Sequence, residues 1–348
     1  MKIVFHSFYN QYNKDNLLFA KSNAEIGDDL LSPFLSIADK ALLKKQKVCT
    51  SDNINWEEAD AIVFVELPKK TDTFFIEAIK SGKPLYLITL ESPIIMPENY
   101  IISNHKVFTN VFTWSDSLIT SGDDRYIKIN YSFNFPDELP KVTKSNKKLL
   151  TLISGNKKSS FNNELYSSRE EVIKYMEKKY LNDFEFYGMG WDYFMCENRF
   201  FKRVLNKLKI PRKILFKNYI SYKGKVERKN VILRQYAFSI CYENVKDIPG
   251  YITEKIFDSF FAGCVPIYLG ADNITQYIPS NCFIDRRDFT SIGQVYQFIK
   301  LMSDEVYCEY LRNIKIFLDS NKGIQFSNDM FADTIITTVI YNKKQEVI

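Results

Sequence analysis

The sequence is short of the residues on which metal centres and acid–base triads most often depend. Its 348 residues include only two histidines, His6 and His105. That leaves little material for a histidine-based metal site or a Ser-His-Asp triad, so each is read as a core or surface residue. Six cysteines, Cys49, Cys196, Cys241, Cys264, Cys282 and Cys308, are scattered without a CxxC pair. They are read as reduced thiols, most of them buried, and not as a zinc site or disulfide framework. No apolar run approaches the roughly 20 residues that span a bilayer. The opening "MKIVFHSFYN" has one lysine and few apolar residues before polar chain. Neither a signal peptide nor an anchor is expected, and the protein is read as cytoplasmic. The wider GxGxxG pattern is also missing around Gly188 and Gly190, so "GMG" is read as a turn and a dinucleotide oxidoreductase is the weakest of the enzyme readings.

What is present fits a folded chain of two ordinary domains. Apolar residues make up 45% and charged residues 26%, and the length suits two cores better than one. A net charge of +5 permits an anionic ligand, but a dedicated nucleic-acid domain is usually far more basic. Short apolar runs alternate with helical patterns throughout, the signature of a parallel α/β architecture. "KIVF" and "AIVFV" read as strands; the helix in "TDTFFIEAIKSG" stops at Gly82, Pro84 bars its continuation, and "LYLIT" follows as a strand. That strand delivers Glu91 to its carboxyl end, the edge where open α/β sheets bind ligands. Glu91 is either a reacting carboxylate or a cap for the following turn.

The tract "NFPDELPKVTKSNKK" breaks the pattern and places a domain boundary at about residue 145. The expected division is 1–145, 146–325, and a terminal helix over 326–348 that can pack back on the first domain. In the second half, "LLTLIS", "FEFYG" and the end of "VILRQYAFSICYEN" read as strands, with a helix around "SREEVIKYMEKKY". The stretch from Arg199 to Lys229 is the most basic part of the chain. It reads as a solvated helix and loop, with attraction to an anionic membrane surface or a nucleotide phosphate as the alternative. Trp191 and Asp192 read equally well as cleft lining or as a core Trp with a capping Asp.

Residues 250–270, "GYITEKIFDSFFAGCVPIYLG", carry the densest signal. Ile256, Phe257, Phe260 and Phe261 form a broad apolar helix face. Thr253 is placed as the N-cap and Gly263 at C′. A helix N-terminus behind a strand and a polar loop suits an anion, because free N–H groups and the helix dipole converge there. Lys255, a cation at the electropositive end, then pairs with a multiply charged ligand, or else Glu254 and Lys255 are an ordinary solvated helix start. Tyr251 can donate to phosphate and Glu254 can accept from sugar hydroxyls.

This block closely resembles the signature of the α-1,3/4-fucosyltransferase family, glycosyltransferase family ten. The matching residues are Tyr242, Glu243 and Asn244, with Tyr242 in place of the usual Phe; Tyr251, Thr253, Glu254, Lys255 and Asp258; Pro266, Ile267, Tyr268 and Gly270; and Phe283, Ile284 and Asp285. "ESP" at 91–93, "VFTNVFTWSDSLI", "SREEVIKYM", "YGMGWD" and "YKG" resemble further family elements. The resemblance implies an inverting GT-B enzyme, with two Rossmann-like domains whose parallel sheets face across a cleft. Its donor would be GDP-β-L-fucose and its acceptor a glycan hydroxyl, α-1,3 on a GlcNAc-type residue. Lys255, Arg169 and Tyr251 would bind the diphosphate, Glu254 and Asn244 the ribose or fucose, Lys223 would reach the donor, and Glu91 would be the general base. Arg169 and Lys223 each have a solvated-surface reading beside this one. The absence of a D-x-D motif agrees with metal independence, a divalent ion being able to accompany the diphosphate without being required. No tightly bound cofactor and no nucleic-acid partner are expected. The acceptor would be an oligosaccharide or a lipid-linked glycan, in protein glycosylation or surface polysaccharide biosynthesis; a lipid-linked acceptor would place the basic stretch near the inner membrane face. The alternatives are another GDP-sugar donor or a non-catalytic nucleotide-sugar-binding relative.

Overall fold

The computed structural model describes residues 1–20, 29–193, 204, 207–211 and 218–346. The chain divides into two compact units, residues 1–135 with 249–251 and 321–348, and residues 136–248 with 252–320. The passage from the first to the second falls shortly before the boundary expected at about residue 145.

The first unit is built on a six-stranded sheet: β1 (Lys2–Ser7), β2 (Lys47–Thr50), β3 (Ala61–Val65), β4 (Leu85–Thr89), β5 (Asn110–Thr113) and β6 (Tyr126–Lys128), in the order β2-β1-β3-β4-β5-β6. Every neighbouring pair is parallel. All residues of β3 and β4 are buried, which is why they read as continuous apolar runs instead of alternating ones. One face is covered by α1 (Ser32–Leu43), the other by α2 (Thr73–Lys80), whose Asp72 cap accepts from Phe75 N.

The second unit carries α3 (Tyr166–Lys179) and a five-stranded parallel sheet: β7 (Lys148–Ile153), β8 (Phe184–Tyr187), β9 (Tyr236–Tyr242), β10 (Val265–Leu269) and β11 (Ile284–Asp285), ordered β11-β10-β9-β7-β8. The order reverses between β7 and β9, so the carboxyl end of β9 lies at a topological switch point. Helix α4 (Glu254–Phe261) buries Ile256, Phe257 and Phe260 completely, each worth about 1.5–3 kcal/mol. Both phenylalanine rings meet Phe317 of α5 (Asp304–Leu318), at 6.4 and 6.2 Å. Gly263, just past α4, has φ +60°, the left-handed C′ conformation expected of it.

The terminal helix α6 (Asn328–Glu346) returns to the first unit. Phe331, Ala332, Ile335, Ile336 and Val339 join the core beneath α1, and Asn328 Nδ2 donates to Ser32 Oγ at 2.8 Å. His6 and His105 are both buried. Among the described residues no helix is long and apolar enough to cross a membrane.

Candidate active site

The switch-point edge of the second sheet is organised by a residue to which the sequence assigned no role. Glu243 follows β9 directly, and its N–H extends the ladder by donating to Leu269 O at 2.8 Å. Its side chain is wholly buried, where a carboxylate without partners would be very costly. Thr253 supplies two, its N–H at 2.9 Å and its hydroxyl at 2.6 Å. Thr253 does occupy the N-cap position of α4, but its hydroxyl makes no capping bond to the helix. The hydroxyl donates to the buried carboxylate and accepts from Lys255 Nζ at 3.0 Å, and so serves the Glu243 cluster instead of an orphan helix N–H.

Glu243 also explains the lysine at the helix start. Lys255 Nζ lies 3.2 Å from Glu243 Oε2, 3.3 Å from Glu254 Oε1 and 3.0 Å from Thr253 Oγ1, with its side chain 18% exposed. Burial works against its charge, but the Glu243 and Glu254 carboxylates outweigh it and hold the ammonium pKa above its ordinary value. Lys255 is therefore not an ordinary solvated residue. Glu254 is only half buried and sits within 3.4 Å of Lys229 Nζ, which reaches Asp258 Oδ2 at 2.9 Å. Burial would raise the Glu254 pKa; Lys255 and Lys229 hold it well below the usual carboxylate range instead. Acidic Glu254 at the first helical position also suits the dipole.

Arg169 on α3 closes the other side of the cluster. It is 4% exposed, which removes the solvated reading. Its Nη2 donates to the carbonyls of Tyr242 and Glu243, both at 2.7 Å, and to Asn244 Oδ1 at 3.1 Å. Arg169, Asn244, Glu254 and Lys255 are thus gathered around Glu243. Lys223 is engaged elsewhere: it is 42% exposed and pairs with Glu185 of β8 at 3.4 Å. Trp191 is buried, its Nε1 donating to Ser154 O at 2.7 Å, and so takes the core role.

Glu91 and Tyr251 belong to the first unit. Glu91 lies just beyond β4. Its Oε1 accepts from the Tyr9 hydroxyl at 2.9 Å, and its carbonyl accepts from Tyr100 Oη at 2.7 Å. Beneath it, Glu66 at the end of β3 is 2% exposed and accepts the N–H groups of Leu90 and Glu91 at 3.0 and 2.9 Å. Burial pushes the Glu66 carboxyl up to about 7. Tyr251 is 2% exposed, with ring centroids of Trp114 and Tyr131 at 4.8 and 6.3 Å.

Glu243, Glu66 and Tyr9 are the site residues that reasoning from sequence missed. The available signals were slight: Glu243 inside the matched Tyr-Glu-Asn element, and Glu66 as a carboxylate ending the apolar run "AIVFV". The basic tract lies in good part outside the described residues, including Arg199, Lys202, Arg203, Arg212, Lys213 and Lys217. Its Lys229 is drawn into the α4 cluster.

Two parallel α/β units, with a buried cation cluster at a helix N-terminus on the switch-point edge of one, make up the GT-B fold found in glycosyltransferases. Solved structures share that fold: an α1,3-fucosyltransferase determined with GDP is 15% identical, with a TM-score of 0.53 over 98% of this chain and 90% of that one. An Anabaena protein in complex with UDP and glucose is 12% identical, with a TM-score of 0.54 over 98% and 100%. Residues 146–322, just over half of the chain, match the family described as "Glycosyltransferase family 10 (fucosyltransferase) C-term", and the chain belongs to that family. Among curated relatives, it is 35% identical over 77 residues to an α-(1,3)-fucosyltransferase of Helicobacter pylori and 34% identical over 80 residues to an α-(1,4)-fucosyltransferase of Arabidopsis thaliana. Those segments cover 22% of this chain in both cases, and 16% and 20% of the two relatives.

Proposed function

We propose that the protein transfers L-fucose from GDP-β-L-fucose to a hydroxyl of a glycan acceptor, with inversion at C1 and an α-1,3 linkage to a GlcNAc-type residue. The observation that carries this reading is the coincidence of the family match with the Lys255–Arg169 cluster at the start of α4. A diphosphate there would meet the free N–H groups of the first helical turn together with Lys255, and Arg169 supports the strand end beside them. These are fixed positive groups suited to the charge that develops on departing GDP. Glu254 and Asn244 would meet ribose or fucose hydroxyls, and no metal is required by this arrangement. Lys223 and Tyr251 are the members of the proposed donor set that lie outside the cluster around Glu243; to serve a phosphate, Lys223 must leave Glu185. Glu91 would take the proton of the attacking hydroxyl. The acceptor is an oligosaccharide or a lipid-linked glycan.

The test is turnover. Incubation with GDP-fucose and a panel of N-acetyllactosamine, Lewis-type and other glycans should release GDP and yield an α-fucosylated product. Glu91→Gln should abolish transfer while sparing GDP binding. Absence of product and of donor hydrolysis across the panel would contradict the reading; an active Glu91→Gln would move the base to another carboxylate.

A further inference from the structure

Glu91 is held by residues from two neighbouring strands in addition to its own. In the sheet order, β1, β3 and β4 are adjacent, and just past their carboxyl ends lie Tyr9, Glu66 and Glu91 in turn. We infer that Tyr9 is a positioning residue of the acceptor side of the site, its phenol orienting the Glu91 carboxylate while Glu66 fixes the backbone that carries it. The inference rests on the reading of Glu91 as general base.

Tyr9 is 37% exposed, yet its hydroxyl stays 2.9 Å from Glu91 Oε1. A surface phenol left to itself would sample other rotamers. Here the chain that carries it is tied at two points, Tyr9 N to Ser7 Oγ at 3.1 Å and Phe8 N to Val65 O at 2.9 Å. The ring also meets Phe8 edge-on at 5.6 Å. The carboxylate is fixed from below. Glu66 adopts φ +65°, a conformation uncommon for a residue with a side chain and one that needs surrounding structure to persist. In return its Oε1 receives both N–H groups of the Leu90–Glu91 pair, and its Oε2 accepts from Asn99 Nδ2. Asn99 Oδ1 is in turn held by Leu67 N at 3.0 Å. The Leu90 carbonyl accepts from Trp114 Nε1 at 2.8 Å and from the Tyr131 hydroxyl.

With the phenol on Oε1, the acceptor hydroxyl approaches a carboxylate whose direction is already set, the arrangement that positional catalysis requires. The ionisable groups around Glu91 are the phenols of Tyr9, Tyr100 and Tyr131 and the carboxyl of Glu66, with Tyr12 beside Tyr9. Of these, Tyr9 is the one that donates to the Glu91 carboxylate itself.

Tyr9→Phe keeps the ring and removes the donor. The direct readout is the 13C chemical shift of carboxyl-labelled glutamate, the Glu91 signal being assigned by its loss in Glu91→Gln; with its donor gone, that signal should move in Tyr9→Phe while the other glutamate signals stay. In the transfer assay kcat should fall approximately tenfold, the equivalent of one neutral hydrogen bond, with KM for GDP-fucose unchanged. An unmoved Glu91 signal, or a kcat equal to that of the unaltered protein, overturns the inference. Should the unaltered protein fail to transfer fucose, the functional reading falls, and the NMR comparison still decides whether Tyr9 holds Glu91.

Discussion

Lys255 Nζ stands 3.2 Å from Oε2 of Glu243, a carboxylate with no exposed surface. This pair accounts for a lysine at the electropositive end of a helix: its standing partner is an anion of its own chain, and a ligand phosphate would join a cation already in place. Removing one member of a buried ion pair strands the other and typically costs 3–5 kcal/mol. Glu243→Gln should therefore lower unfolding stability by about that amount in urea titrations and weaken GDP binding, because Thr253 and Lys255 lose their common acceptor. A stability change under about 1 kcal/mol would show that the pair is not the anchor described here.

Gly270, just past β10, bears on the same anchor. A methyl group there would stand 2.5 Å from Glu243 Cγ and closer still to the Tyr268 phenol, while the Tyr268 oxygen is held by Ala271 N at 3.1 Å. Overpacking of this kind usually costs about 1–3 kcal/mol. Gly270→Ala should displace Glu243 and reduce GDP affinity more than its modest stability loss would suggest. Calorimetry beside thermal unfolding separates the two effects, and unchanged affinity would mean that Glu243 does not set the position of Lys255.

Much of this frame was legible in the sequence because buried parallel strands are continuous apolar runs. "AIVFV" and "LYLIT" are β3 and β4, and "PIYLG" begins within β10. Strands β2 ("KVCT"), β5 ("NVFT") and β6 ("YIK") are short and mix polar residues, so no run marks them. The apolar face of α4 and the C′ position of Gly263 followed from periodicity and chirality alone. The partners of charged groups did not: whether Lys255 meets solvent, ligand or Glu243 depends on where the end of β9 lies against α4, which is a tertiary fact. For the same reason Glu66 could be seen to end an apolar run but not to be a buried acceptor of two backbone N–H groups.

Glu66 gives the fold a pH signature of definite sign. Its carboxyl titrates at about 7, raised first by burial, against an ordinary value of 4.5. Between those values the folded state binds more protons than the unfolded one, so this group's contribution to stability falls as pH rises. The difference amounts to about 3 kcal/mol between pH 4.5 and 7. Measured against Glu66→Gln, which cannot titrate, the native protein should lose relative stability over that interval in urea unfolding. A flat difference would mean that Glu66 is ionised throughout.

If the start of α4 holds the diphosphate of a guanine nucleotide through Lys255, calorimetric titration of GDP, UDP and NAD into the native protein and into Lys255→Ala will show it. The native protein should prefer GDP, and the variant should lose about 1.5–3 kcal/mol of GDP binding, the usual value of a charge-assisted hydrogen bond. Preference for UDP or NAD, or equal GDP affinity in the two proteins, would contradict it.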